Sequence, residues 1–359
     1  MTKRIFRQIH LWLSVPFGLI ITLICFSGAI LIFERDFGHI GQAHVDSEGR
    51  VPLPIDSILL STDRYLSGKN QIVGITTYPD PDHAYKVMLS KPAMAALWVN
   101  QYTGEVIGDY ERAKIFKWAS AAHRRFFGKS KAEGAYGAKT GKLIIGISSI
   151  ALLIIILSGI VIWFPRNGKW KGKFSISTRQ GAYRFWFDFH CVGGILCSIV
   201  LVLCVLTGLN WSFGWYRTAF YGAFGSEVAK SSSHKTIAEN FPAWETAYKD
   251  IKEANPDKEI RLYQGEIDVV KGGAGNQQAV DTYIINPVSG ATEALKSYND
   301  KDKSNHIKGW IFTLHVGSWL GWATKILYLL SVIVGMLLPI TGYYLWIKRL
   351  ILKSKKRHS

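Results

Sequence analysis

Four stretches without a single charged residue dominate this chain of 359 residues: Leu11–Phe33, Leu143–Phe164, Cys191–Tyr216 and Ile326–Ile347. Each holds at least 22 residues, and a helix needs only about 20 apolar residues to cross a hydrocarbon core about 30 Å thick. In lipid only helices and closed barrels satisfy their own backbone, so the sequence predicts four transmembrane helices. The first run is longer than a signal-peptide core and no small-residue cleavage site follows it, so it is expected to remain as an anchor.

The net charge of +17 would suit a nucleic-acid partner if it were spread over a surface. It is not. Residues 1–10, 165–189 and 348–359 together hold 15 Lys and Arg against one acid, Asp188. Nearly all of the excess thus flanks apolar runs, which is the positive-inside pattern. It predicts both termini and the middle loop in the cytoplasm, and it leaves nothing for nucleic acid to explain. The four cysteines, Cys25, Cys191, Cys197 and Cys204, all fall inside apolar runs. They lack metal-ligand spacing and read as small buried hydrophobes.

The expected fold class is an integral membrane α-helical protein with two extracytoplasmic α+β domains. The predicted order is a cytoplasmic N-terminus and first span (1–33), outer domain one (34–138), second span (139–164) and basic loop (165–189). The third span (190–216), outer domain two (217–320), fourth span (321–347) and basic tail (348–359) follow. In the outer segments, "ALWVNQYTGEVIGDY" (96–110) and "DTYIINPVSGATEAL" (281–295) each read strand–turn–strand, with turns at Thr103-Gly104 and Ser289-Gly290.

The two halves repeat. His10 and His190 each precede a hydroxyl–glycine pair by 17 residues, Ser27-Gly28 and Thr207-Gly208. Lys142 and Lys325 each precede another by 16, Ser158-Gly159 and Thr341-Gly342, and Trp163 and Trp346 follow by five. Upstream, Trp118 and Trp310 each precede a histidine by five, His123 and His315. The first copy carries nine extra residues between its histidine and its lysine, around "KSKAEGAYG". The architecture is helix–domain–helix, twice in parallel.

A lone histidine at a membrane boundary is ordinarily a cap or an interfacial residue. Four at matched depths, two near each face, carry more weight. No carboxylate stands in the runs to continue a proton or ion path. Imidazole without thiolate or carboxylate company argues against a structural zinc or hard-cation site. Two axial imidazoles from facing helices suit a six-coordinate haem iron, which passes single electrons and has no open position for oxygen. By depth, His10 is expected to pair with His190 and His123 with His315. Gly18, Gly193, Gly194, Gly317 and Gly321 are expected to leave room for a flat group. Arg7, Arg184, Arg124, Lys142 and Lys325 are candidate partners for haem propionates, although a snorkelling or positive-inside role explains any single one better. His39 and His44 are rival outer ligands; His83, His234, His306 and His358 have no matched partners.

The stretches "IHLWLS…SGAIL", "IIILSGIVIWFPR", "FHCVGG…LTGLNW" and "LHVGSWLG…TGYYLWIKR" resemble the PepSY-associated transmembrane proteins. The outer domains resemble PepSY modules in outline, and the likeness covers nearly the whole chain. Members include iron-regulated proteins of the bacterial cytoplasmic (inner) membrane, some of them ferric-siderophore reductases with b-type haems on membrane histidines. The resemblance therefore implies haem b, two groups if both pairs are ligands, held by His10, His190, His123 and His315. It also implies a ferric siderophore or another periplasmic ferric chelate as acceptor and an unidentified cytoplasmic electron donor. Two rivals stand beside this reading. A membrane-anchored PepSY module restraining an envelope peptidase, or sensing a ligand, needs no redox chemistry. A chelate transporter is disfavoured, because the spans hold no midplane charge and four helices leave little room for a pathway.

Overall fold

A computed structural model describes residues 2–37, 43–92, 95–128, 135–165, 168, 170–228, 242–272, 275–286 and 288–355. In chain order the first half contains α1 (Thr2–Leu31), α2 (Glu34–Phe37), α3 (Ile55–Leu66), β1 (Ile72–Thr77), β2 (Tyr85–Leu89), β3 (Ala96–Val99), β4 (Val106–Asp109), α4 (Lys114–Arg125) and α5 (Ala135–Trp163). The second half contains α6 (Gly181–Ser212), α7 (Gly214–Ala223), α8 (Pro242–Ala254), β5 (Ile260–Tyr263), β6 (Glu266–Val270), β7 (Val280–Ile285), β8 (Thr292–Lys296), α9 (Lys303–Val316) and α10 (Trp322–Lys355). The chain divides into two compact units: Met1–Glu34, Lys114–Gly225 and Ile311–Ser359 form one, and Arg35–Ala113 with Ser226–Trp310 the other.

In the first unit, α1, α5, α6 and α10 are long and apolar enough to cross a membrane. α1 packs on α5 and α10, and α6 packs on the same two, which closes a ring of four helices. Ile32, Cys197, Val200, Leu201, Tyr328 and Val332 form a buried core between them. Leu19, Leu196 and Ile199 point outward with 63–73% of their surface exposed. Such a rind is costly in water, at about 25 cal/mol per Å² of apolar surface, and costs nothing against lipid tails. α4 turns Phe116, Ala119, Ser120 and Ala122 inward and packs on α1 and α5.

Several boundaries differ from those predicted. α6 begins at Gly181, inside the segment read as a basic loop, and α10 runs on to Lys355. Hydropathy marks where lipid begins, whereas the helix continues as far as its backbone bonds and an Arg184–Asp188 pair at i,i+4 carry it. α4 and the end of α9 belong to the helical unit, although the sequence assigned both to outer domains. The nine-residue insertion lies mostly outside the described residues.

The second unit corrects the expectation of two domains. Its strands form one antiparallel sheet in the order β4-β3-β2-β1-β5-β6-β7-β8. β1 and β5 join the two four-stranded halves, from Gly74 opposite Tyr263 to Thr77 opposite Ile260. Left apart, each half would end in an edge strand with unpaired backbone groups, and joining the two edges removes both. One core serves both halves: Ile58 and Leu59 of α3 and Trp244 and Ile251 of α8 pack with Ile75, Val87, Ile260 and Leu262 of the sheet. The two anticipated hairpin turns are present, with Gly104 and Gly290 at φ of +73° and +71°, where a side chain would be strained.

At the start of α3, burial and the nearby Glu245 push the Asp56 carboxyl up to about 6. A carboxyl that holds its proton more tightly folded than unfolded contributes stability that is complete below its unfolded value, near 4, and is lost as pH rises through 6. Asp56→Asn should therefore raise the stability of the full chain at pH 8 by about 1 kcal/mol, after discounting for partial exposure. Thermal unfolding in detergent should show that gain vanish at pH 4.

Candidate functional site

The four helices carry polar groups at two levels. His10 of α1 and His190 of α6 have ring centres 6.2 Å apart with planes crossed at 82°. His123, in the last turn of α4, and His315, in the last turn of α9, have ring centres 6.0 Å apart at 65°. These are the two pairs expected from depth. From His10 to Ser27 along α1 is 17 residues, or about 25 Å at 1.5 Å per residue, which sets the spacing of the two levels.

Each imidazole is held by the same three backbone and side-chain features of a neighbouring helix. His10 Nδ1 lies 3.0 Å from the Ile155 carbonyl and 3.1 Å from Ser158 Oγ. His123 Nδ1 lies 2.9 Å from the Ile24 carbonyl and 3.4 Å from Ser27 Oγ. His315 Nδ1 lies 3.0 Å from both the Cys204 carbonyl and Thr207 Oγ1. His190 Nδ1 lies 2.9 Å from Thr341 Oγ1 and also meets the Leu338 carbonyl. In every case the carbonyl lies three residues before the hydroxyl, and a glycine follows the hydroxyl.

The glycine has a geometrical reason. In an α-helix the carbonyl of residue i accepts from the N–H of i+4, so the carbonyl that receives each imidazole is already bonded to that same glycine. A side chain there would stand in the approach. A Cβ on Gly208 would lie 3.0 Å from His315 Cε1, on Gly28 3.1 Å from His123 Cε1, on Gly159 3.3 Å from His10 Cε1, and on Gly342 3.5 Å from His190 Cε1.

The carbonyls decide the tautomer. A carbonyl oxygen only accepts, so Nδ1 of each histidine must carry the proton and donate it. Each hydroxyl also spends its own proton on its helix: Ser27 and Thr207 on the carbonyls four residues back, Ser158 and Thr341 on those three back. Nε2 is then the unprotonated nitrogen on all four rings, and among the described residues no hydrogen bond reaches it. Two half-buried imidazoles with free lone pairs thus stand beside each other at each level. The arrangement suits an electrophile between them. A metal–imidazole bond of about 2 Å, plus about 1 Å from nitrogen to ring centre, sets two axial ring centres about 6 Å apart. Among the described residues no cluster of three or more His, Cys, Asp or Glu could hold a metal. Among the described residues the donor set at each level is two imidazoles.

Sequence reasoning chose other glycines. Gly18 is filled by Tyr343, whose hydroxyl would be 2.6 Å from an added Cβ and donates to the Val15 carbonyl. Gly193 packs on Val334, and Gly194 lies near Leu338. Gly317 turns the chain at φ +68° beneath Tyr328, and Gly321 turns it at +62°. These are helix-packing and turn positions. The glycines that lie against the imidazoles are visible in the sequence as repeat markers, but each meets a histidine from another helix, so spacing along one segment conceals the match. Of the predicted cations, Arg184 donates to Asp188 at 2.8 Å and Lys325 lies 5.4 Å from the Trp322 ring. Arg124 acts electrostatically on both His123 and His315; Arg7 and Lys142 are exposed. His44 forms a bridge with His83, and its Nε2 lies 3.3 Å from Asp46 Oδ1 in the sheet unit. His39 lies outside the described residues.

A family model described as the PepSY-associated TM region matches residues 7–349, which covers all four membrane helices and both histidine pairs. No curated protein matches the chain.

The glycine contacts make a graded prediction. Gly208→Ala forces His315 to give way, whereas Gly342→Ala meets ordinary contact distance. The first should be less stable than the second by about 1 kcal/mol, read as a lower unfolding temperature in detergent.

Proposed function

The chain belongs to the PepSY-associated transmembrane family, and on that premise we propose that it carries single electrons across the membrane through two b-type haems. His10 and His190 would hold one, and His123 and His315 the other. A haem iron with two imidazole ligands supplies reversible one-electron chemistry with no position open to oxygen. The acceptor is a ferric chelate of the siderophore class outside the cytoplasm, and the donor is a cytoplasmic one-electron carrier, either another protein or a diffusible reductant. Siderophores grip Fe(III) far better than Fe(II), so delivery of one electron releases the metal without acid–base catalysis.

The observation that carries this reading is the repetition of one arrangement at two levels: paired imidazoles, both with Nε2 free, at axial spacing. Hydrogen bonding between helices occupies Nδ1 of each ring and accounts for neither the free Nε2 nor the pairing of the rings. The chain's own contribution is to orient four rings, to fix their tautomers and to keep both levels within apolar helices. The basic segments support an orientation with His10 and His190 toward the cytoplasm. Arg124, beside the second pair, is placed to neutralise an acidic substituent there. An anchoring role for the membrane helices, with the sheet unit binding an envelope protein, would use the imidazoles as links between helices but would not account for their pairing at two levels.

Detergent-purified protein should therefore show a low-spin haem spectrum that sharpens on reduction. His190→Ala should lose about half of the haem absorbance, and the pre-reduced wild type should be reoxidised by a ferric hydroxamate chelate. Full absorbance in His190→Ala would remove the first pair from the assignment. A pre-reduced protein inert to every ferric chelate would remove the acceptor.

A further inference from the structure

We propose that the Ser/Thr–Gly pairs are positioning elements that set the electron-donating strength of each histidine, and that the two threonines do so more strongly than the two serines. The inference rests on the haem reading for its electrochemical arm and on the hydrogen bonds alone for its tautomer arm.

Each histidine donates from Nδ1 into a fork formed by a helix carbonyl and a hydroxyl. A ring that shares its Nδ1 proton with acceptors is a stronger donor through Nε2, and such partners tune the metal a histidine holds. A stronger donor favours the oxidised iron, so each fork should lower the reduction potential. The forks are not equal. Each level has one histidine held by a serine of the first half and one held by a threonine of the second. In both levels the threonine is closer: Thr341 at 2.9 Å against Ser158 at 3.1 Å, and Thr207 at 3.0 Å against Ser27 at 3.4 Å.

β-branching explains the difference. A threonine in a helix has fewer accessible χ1 rotamers than a serine, and its hydroxyl is steered onto the carbonyl of the preceding turn. Thr207 and Thr341 make that bond, as Ser27 and Ser158 do, but the threonines have fewer rotamers in which to leave it. The oxygen is then presented to the imidazole in a fixed direction with its own proton already engaged, and it acts only as an acceptor. The internal duplication has thus diverged in a way that gives each level one firmly held ligand and one more loosely held.

The test is redox titration of the full chain with Thr341→Val, Thr341→Ser, Ser158→Ala and Ser158→Thr. Valine keeps the shape of threonine and removes the acceptor. Thr341→Val should raise the potential of one haem and leave the other unmoved, with a low-spin spectrum retained. Thr341→Ser should restore most of the wild-type value, Ser158→Ala should shift the same haem less than Thr341→Val, and Ser158→Thr should lower it. Equal potentials in wild type and Thr341→Val, with both haems bound, would overturn the proposal. So would a Ser158→Ala shift larger than that of Thr341→Val. If the purified chain carries no haem, the electron-transfer reading fails, and the forks are then tested on that haem-free chain by ¹⁵N-histidine NMR. Nδ1–H signals should then appear for the four bundle histidines, with that of His190 redistributed in Thr341→Val and retained in Thr341→Ser. An Nε2–H signal from the clamped histidines of the unsubstituted chain would refute the forks themselves.

Discussion

The arrangement depends on one hydrogen bond made four times: an imidazole Nδ1–H donating to a main-chain carbonyl that a transmembrane helix already uses. Such a carbonyl has a second lone pair, and the glycine four residues on widens the approach to it, most at Gly208 and least at Gly342. The hydroxyl just before the glycine completes the fork. This contact fixes which nitrogen is protonated, where the ring lies, and which nitrogen remains free.

The forks are exchanged between helices. α5 holds the histidine of α1, α1 holds that of α4, α10 holds that of α6, and α6 holds that of α9. α1 and α6 therefore each give a histidine to one level and a fork to the other, as rigid rods that set the two levels about 25 Å apart. A change in the packing of either helix is felt at both levels. The rest of the bundle needs only to be apolar, and its outward leucines and isoleucines meet that requirement with little specificity.

Much of this was legible in the sequence. The four spans follow from charge-free length alone, and the histidine pairing follows from matched depth in a duplicated chain. Three features were not legible, for physical reasons. The β1–β5 pairing joins segments just over half the chain apart, and neither strand's pattern distinguishes an inner position from an edge. The start of α6 at Gly181 lies among charges and aromatics that hydropathy reads as loop, while backbone bonding and the Arg184–Asp188 pair continue the helix. The forks were seen as Ser27-Gly28, Ser158-Gly159, Thr207-Gly208 and Thr341-Gly342, yet their partners are on other helices, so no single-segment pattern assigns them. Gly18 and Gly193 were preferred because they lie near the histidines in sequence, and their space is taken by Tyr343 and Val334.

The most direct measurement of the central claim is the ratio of porphyrin to polypeptide in the full chain, produced with iron and haem precursor in excess and purified in mild detergent. Two pairs of imidazoles with ring centres 6.2 and 6.0 Å apart predict two haems per chain. A chain that emerges colourless under those conditions would contradict the claim, and the paired histidines would need another occupant.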